Sequence, residues 1–400
     1  MSPPQSILIY AELLSNIRQV SVGCILPTPI STATQAAVAA DGRTLTVAHH
    51  GSSVNLQLPE RVLPLSQLPV PKLGGTRLSW RLPLTVPLAG RILPASEELV
   101  PWSGLDLEPG SAVVCRTCKS AIVDAGTLKV WKDLPSENWA EMMEFWHCHK
   151  PHNHKHDNDE EHLANRGYGA SSRITAQPGV GFVDLTSFLL ADSDLVSYSI
   201  SGPTATDIVG NEGKATTTLH CTSCKTQLGV RNDQAQSISI FKWQVLIKQQ
   251  NGNIPELSPS LAQCVSAMLL ATMARSGCSK SILLPMKGLS PDGSKPENAV
   301  DVQGLLNIWV FNANITFSST EAPISPLTAV KVFYRTISKE EADKMLDSIT
   351  SDVQDISLPI EAITTIAGLL KESNAFVPES DRKFKEWTVG LLEKWDGGGG

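Results

Sequence analysis

Residues 115–119 read Cys-Arg-Thr-Cys-Lys and residues 221–225 read Cys-Thr-Ser-Cys-Lys, two cysteine pairs of identical spacing. A Cys-x-x-Cys turn directs two thiolates at one point, and two such turns complete the tetrahedral coordination of zinc. Because about a hundred residues separate the pairs, one zinc would join two halves of the fold. Four thiolates leave no open coordination position, so the zinc is predicted to be structural. The predicted ligands are Cys115, Cys118, Cys221 and Cys224.

Other interpretations of these cysteine pairs stay open at this point. Each pair could instead consist of buried or redox-active thiols. A zinc ion could also take Cys115 and Cys118 together with Cys148 and His149. Eight cysteines in 400 residues are too few for a disulfide scaffold. Three cysteines stand alone in apolar segments and are predicted to be small core residues: Cys24, Cys264 and Cys278.

A tryptophan-rich segment lies between the two pairs. It runs from Leu-Pro-Ser-Glu-Asn-Trp at residues 134–139 to Trp-His-Cys-His at residues 146–149. Ser136 is a suitable N-cap for a short helix that would bring the tryptophans to one side. Tryptophans are frequent anchors of interfaces, and a thiolate beside an imidazole can ligate a partner's metal. The predicted partner-binding residues are Trp139, Trp146, His147, Cys148 and His149.

Composition restricts the function classes that the chain can serve. A hydrophobic content of 42% with 18% charged residues is typical of a globular protein, and 400 residues favour two domains. The net charge of −7 argues against a general nucleic-acid-binding surface. No apolar stretch reaches the ~20 residues of a membrane span, and no signal peptide is evident. We therefore expect a protein of the cytoplasm and nucleus, with no catalytic constellation in the N-terminal region.

Hydrophobic periodicity predicts an α+β, β-rich protein of two domains clasped by one zinc, with helices toward the C-terminus. Residues 1–156 would form a β-rich domain that carries the first cysteine pair. The polar, acidic residues 157–179, which include His162, would form a flexible linker. Residues 180–396 would form an α+β domain with the second pair. Helices are predicted from residue 261 after Ser-Pro, from residue 339 after a capping Ser338, and over 358–372 and 380–395.

The combination of these sequence features resembles one eukaryotic family. Cys-x-x-Cys at 115–118, the tryptophan-rich segment, and Cys-x-x-Cys-Lys-x-x-Leu-Gly at 221–229 are similar to the HECT-like proteins that bind ubiquitin-conjugating enzymes. The resemblance implies ubiquitin ligase function with a conjugating enzyme as partner. For fungal members it also implies a role in messenger-RNA 3′-end processing beside a metallo-β-lactamase-type endonuclease.

Two functions follow as hypotheses. The first is a zinc-stabilised, chaperone-like protein that engages that endonuclease through the tryptophan-rich segment. The alternative is a ubiquitin ligase or adaptor that binds a ubiquitin-conjugating enzyme. A HECT ligase forms a thioester on a cysteine near the C-terminus, whereas the last cysteine here is Cys278. No catalytic residue is therefore predicted, and covalent transfer would have only Cys148 available. A third interpretation makes the tryptophans ordinary core and Cys148 a ligand of the protein's own zinc.

Overall fold

The structure is a computed structural model, and it describes most of the chain. The described residues are 6–71, 74–85, 100–134, 175–201, 216–232, 237–250, 258–286, 304–323, 326–348 and 352–397. Within them lie 22 β-strands and three α-helices, and all three helices follow residue 260. The β-rich character and the C-terminal position of the helices are as the sequence predicted. None of these helices is long and apolar enough to cross a membrane.

The elements are numbered in chain order. The strands are β1 Leu8–Leu14, β2 Gln19–Ile25, β3 Gln35–Val38, β4 Thr44–His49, β5 Ser52–Gln57, β6 Arg77–Pro83, β7 Ala112–Cys115, β8 Ala121–Val123, β9 Val130–Asp133, β10 Val180–Val183, β11 Ser187–Ala191, β12 Tyr198–Ser201, β13 Thr216–Cys221, β14 Gln227–Asn232, β15 Ser237–Phe241, β16 Val245–Lys248, β17 Lys280–Pro285, β18 Leu305–Ser319, β19 Leu327–Ile337, β20 Val353–Leu358, β21 Lys383–Phe384 and β22 Trp387–Glu393. The helices are α1 Leu261–Ser276, α2 Lys339–Leu346 and α3 Ile360–Asn374.

The chain divides into two compact units. Unit 1 comprises Met1–Leu99, Leu261–Met286 and Asp301–Gly400, and unit 2 comprises Val100–Ser260 and Lys287–Val300. The sequence had instead suggested a division around residues 157–179. The two sides of that division share one sheet, because β9 pairs in parallel with β10. The linker itself lies almost wholly outside the described residues, and its flexibility stays a prediction.

Unit 1 is built on a nine-stranded sheet in the order β21-β22-β19-β18-β1-β2-β6, with β17 pairing β18 and β20. A separate three-stranded sheet, β3-β4-β5, belongs to the same unit. Helix α3 packs against β22 so closely that a Cβ atom on Gly390 would lie 2.6 Å from a methyl group of Leu370. Strand β6 alternates exposed and buried residues along its length, which is the pattern of a strand with one face in the core.

Unit 2 contains the remaining strands in two sheets. The larger has the order β12-β13-β14-β15-β11-β10-β9, and the smaller has the order β16-β7-β8. The sequence suggested one continuous strand over residues 237–248. A 3-10 turn at Lys242–Gln244 divides it into β15 and β16, so the two strands enter different sheets.

Three of the four predicted helices are confirmed and one is wrong. The helix predicted over 358–372 is observed as α3, Ile360–Asn374. Helix α1 begins two residues after Pro259, and the Ser338 hydroxyl caps α2 by accepting from the Glu341 N–H at 3.1 Å. The helix predicted over 380–395 is wrong, because this stretch forms the hairpin of β21 and β22. Pairing of β22 with the long strand β19 places Trp387, Val389 and Leu391 in a shared core, and this tertiary contact overrides local helix propensity.

Candidate metal centre

The first cysteine pair sits where β7 ends. Cys115 is the last residue of the strand, and the chain then turns through Thr117 and Cys118 to reach β8. Lys119 adopts a left-handed φ of 63°, and its N–H donates to the Cys115 carbonyl at 2.9 Å. The Cys115 N–H donates to the Ser120 carbonyl at 2.9 Å. These two bonds close a tight loop around the Cys115 side chain.

The second cysteine pair repeats this geometry at the end of β13. Lys225 has a φ of 62°, and its N–H donates to the Cys221 carbonyl at 3.0 Å. The Cys221 N–H donates to the Thr226 carbonyl at 2.9 Å. The identical spacing in sequence thus becomes two loops of the same backbone conformation, each presenting two sulfur atoms.

The two loops bring their sulfur atoms together. All four Sγ atoms lie within 4.8 Å of one another. The Sγ atoms of Cys115 and Cys224 are 3.6 Å apart, as are those of Cys118 and Cys221. Zn–S bonds of ~2.3 Å at tetrahedral angles imply sulfur–sulfur distances of about 3.8 Å. The donor set and its dimensions therefore fit a tetrahedral metal ion held by four thiolates.

Burial and hydrogen bonds to hydroxyl groups shift the pKa of three thiols, those of Cys115, Cys118 and Cys224. Cys115 and Cys221 are fully buried, whereas Cys118 is exposed and Cys224 half-buried. Burial raises the pKa of the Cys115 thiol to about 12. A hydrogen bond with the Ser120 hydroxyl, 3.3 Å away, lowers the pKa of Cys118 to about 6. The pKa of Cys224 is likewise lowered by its hydrogen bond with the Thr226 hydroxyl at 3.2 Å. The thiols of Cys118 and Cys224 therefore ionise more readily than an ordinary cysteine thiol, even before a metal binds.

Two hydrogen bonds between hydroxyl groups join the two loops to each other. The Ser120 hydroxyl donates to that of Ser223 at 2.9 Å, and the Thr226 hydroxyl donates to that of Thr117 at 3.3 Å. The sequence contained a signal for part of this arrangement, which was missed. Each Cys-x-x-Cys-Lys stretch is followed directly by a hydroxyl residue, Ser120 or Thr226.

Backbone and packing contacts fix the loops to the rest of unit 2. The Arg116 guanidinium donates to the carbonyl oxygens of Val245 at 3.3 Å and Pro259 at 2.9 Å. After the second loop, Leu228 is fully buried. Gly229 passes so close to β15 that a Cβ atom would lie 2.0 Å from the Ser239 carbonyl oxygen. Leu228 and Gly229, which follow the second cysteine pair, are therefore needed for β14 to pack against β15.

The structure decides some of the sequence-based predictions about this centre and leaves others open. Cys115 and Cys118 meet Cys221 and Cys224, as predicted. All four belong to unit 2, so the prediction that a zinc clasps two domains is corrected: the centre joins two segments of one unit. The segment with the predicted partner-binding residues lies outside the described residues. Its proposed contact with an endonuclease therefore stays a prediction, and these residues are Trp139, Trp146, His147, Cys148 and His149.

Comparison with known proteins identifies the family. The sequence model of the family described as HECT-like ubiquitin-conjugating enzyme (E2)-binding matches residues 12–389. The chain belongs to this family. The match spans both units and includes all four cysteines of the centre.

Relatives of the chain occur in fungi and mammals. An uncharacterized protein of Schizosaccharomyces pombe is 25% identical over 75% of this chain and 79% of its own length. A protein of Pongo abelii named as an E3 ubiquitin-protein ligase is 23% identical over 84% of this chain and 86% of its own. The human protein of the same name is 22% identical over 70% and 72%. No solved structure matches the chain.

Proposed function

We propose that the protein binds a ubiquitin-conjugating enzyme and assists ubiquitin transfer as a ligase or adaptor. The observation that carries this proposal is the match of an E2-binding family over residues 12–389. Relatives named E3 ubiquitin-protein ligase support it, because they align over most of both chains. This was the second of the two hypotheses drawn from sequence, and the comparisons favour it over the endonuclease partner.

Transfer is proposed to occur without a thioester on this chain. A metal ion would occupy the four cysteines of the centre, and Cys148, which lies outside the described residues, is left to the discharge experiment with Cys148→Ser. A thioester needs an accessible thiolate of lowered pKa. Cys24 and Cys264 are fully buried, and burial raises the pKa of Cys24 to about 12. Cys278 is half-buried, with its sulfur 3.8 Å from the Gln354 amide nitrogen and 3.7 Å from the Ser276 carbonyl oxygen. The protein would then act on the conjugating enzyme by holding it in a reactive geometry.

The four-cysteine centre is proposed to hold zinc as a structural ion. Four sulfur donors at tetrahedral distances suit zinc and leave no coordination position for substrate. Zinc would fix the two loops, and with them the ends of β7 and β13, which belong to different sheets of unit 2. The ion would thus maintain a binding surface and would take no part in ubiquitin chemistry.

Direct binding tests the proposal. The full chain, immobilised on a biosensor, is expected to bind at least one member of a panel of ubiquitin-conjugating enzymes, with a dissociation constant of about 1–100 μM, the range of transient interfaces. Free ubiquitin serves as the control analyte and is expected to bind at least tenfold more weakly. If no conjugating enzyme of the panel binds at about 1 mM, the proposal is wrong.

A further inference from the structure

A polar cavity lies within unit 1 on one face of its large sheet. Its volume is about 340 Å³, at the lower end of the range of small-ligand sites. The floor is formed by neighbouring residues of β1, β2 and β6. Cross-strand pairing places them in two adjacent rows, Glu12–Ser21–Arg81 and Tyr10–Gly23–Ser79.

The deepest charged groups of the cavity are already paired. Glu12 and Tyr10 are 8% and 6% exposed, and the Tyr10 hydroxyl donates to the Glu12 carboxylate at 2.7 Å. The Lys331 ammonium lies 2.8 Å from the same oxygen atom. A buried carboxylate with these two partners is neutralised. A ligand would therefore be recognised by other groups at the rim.

Three hydrogen-bond donors at one end of the cavity have no side-chain partner among the described residues. They are the Arg81 guanidinium and the hydroxyls of Ser21 and Ser79. Ser21 is the direct cross-strand neighbour of Arg81, and Ser79 precedes Arg81 by two residues on the same face. Cross-strand neighbours lie ~5 Å apart, within reach of one carboxylate. A guanidinium beside two hydroxyls is a good receptor for that group.

The cavity lining also contains an acidic residue. Asp381, on the turn after Pro378, lines the cavity, and its carboxylate has no side-chain partner in the part of the chain that the structure describes. Gly23, on β2 between Tyr10 of β1 and Ser79 of β6, has no side chain to fill the space. A Cβ atom there would already lie 3.2 Å from the Pro378 ring. The cavity lining thus offers a ligand both a cation, Arg81, and an anion, Asp381.

We propose that this cavity, the Arg81 pocket, binds the C-terminal end of a peptide that carries a basic residue close to its terminus. The terminal carboxylate accepts hydrogen bonds from Arg81, Ser21 and Ser79, and the basic side chain pairs with Asp381. The role of such a ligand rests on the proposed function: an adaptor needs a surface for the protein that it presents to the conjugating enzyme. Proteins with such chain ends would be its substrate class.

Peptide binding to the full chain tests the pocket. The probes are fluorescein-labelled alanine hexapeptides with one lysine at the second, third or fourth position from the end. At least one peptide with a free terminal carboxylate is expected to bind, and C-terminal amidation should weaken its binding about tenfold. Arg81→Ala should weaken it by a similar factor. Arg77→Ala is the matched control, because Arg77 is exposed on the same face of β6 outside the pocket, and it should change affinity less than about twofold.

Several results would overturn the assignment. Equal binding of the free acid and the amide would remove the role of the terminal carboxylate. An amidated peptide with an internal aspartate that binds as well as the free acid would assign the pocket to acidic side chains instead of chain ends. Equal losses in Arg77→Ala and Arg81→Ala, or no binding of any probe at about 1 mM, would contradict the pocket itself. The assay contains no conjugating enzyme, so its failure is separate from failure of the proposed function.

Discussion

Cys221→Ser is expected to lose bound zinc and to destabilise unit 2 by several kcal/mol. Structural zinc in a site of this kind contributes about 10 kcal/mol or more of apparent folding free energy. Replacement of one thiolate by a weakly binding hydroxyl removes most of that contribution. Cys221 is also fully buried, so no other ligand can replace it from solvent. Metal content by mass spectrometry and chemical denaturation of the purified full chain would measure both effects.

Cys278→Ser is the matched control for this substitution. Cys278 is half-buried, lies in unit 1 and stands outside the four-cysteine cluster. The variant should retain about one zinc per chain and lose less than about 1 kcal/mol of stability. Retention of a full equivalent of zinc by Cys221→Ser would show that the metal is bound elsewhere. That result would revive the pairing of Cys115 and Cys118 with Cys148 and His149.

Lys242→Met is expected to destabilise unit 2 by about 3 kcal/mol. Lys242 is fully buried, and its ammonium group donates to the carbonyl oxygens of Pro101, Trp102 and Leu185. It also lies 5.6 Å from the centre of the Phe188 ring. A methionine fills a similar volume but leaves these carbonyl groups without this donor, and each unpaired buried group costs about 1–3 kcal/mol. Relief of the ammonium's own burial offsets part of the cost.

Substitution of an exposed lysine is the control that separates the effect of burial at Lys242 from the loss of a lysine as such. Lys248, at the end of β16, is exposed. Lys248→Met should change the free energy of unfolding by less than about 0.5 kcal/mol. Guanidinium denaturation followed by tryptophan fluorescence would report both variants, since Trp102, Trp131 and Trp243 all lie in unit 2. Equal stability of Lys242→Met and wild type would mean that water or another group replaces the ammonium.

The four-cysteine cluster was predictable from sequence because its determinants are local. Each Cys-x-x-Cys-Lys loop closes on itself through bonds between residues at most five apart, so spacing alone specifies the geometry. The meeting of the two loops needed one further assumption, that four thiols would share a metal. Lys242 gave no such signal, because its three carbonyl partners lie 57 to 141 residues away in the chain. Only the tertiary fold brings them together.

The division of the chain between the two units could not be predicted from sequence for a similar reason. The sequence predicted a break in the polar stretch at 157–179, where local composition changes. Unit 1 is instead assembled from three separate segments, since Tyr10 of β1 pairs with Ser319 of β18. Strand β22 shows the same effect at smaller scale, because its pairing with β19 outweighs a sequence compatible with a helix. Composition describes neighbours along the chain and not partners in a sheet.

Discharge of a loaded ubiquitin-conjugating enzyme tests the proposed function most directly. In a single-turnover reaction with free lysine as acceptor, the wild-type chain should accelerate loss of the enzyme–ubiquitin thioester. Cys148→Ser should accelerate it equally, and no reducible ubiquitin adduct should form on either chain. If an adduct forms on the wild type and is absent from Cys148→Ser, transfer is covalent and the adaptor mechanism is contradicted. No acceleration with any enzyme that binds would contradict ligase activity as a whole.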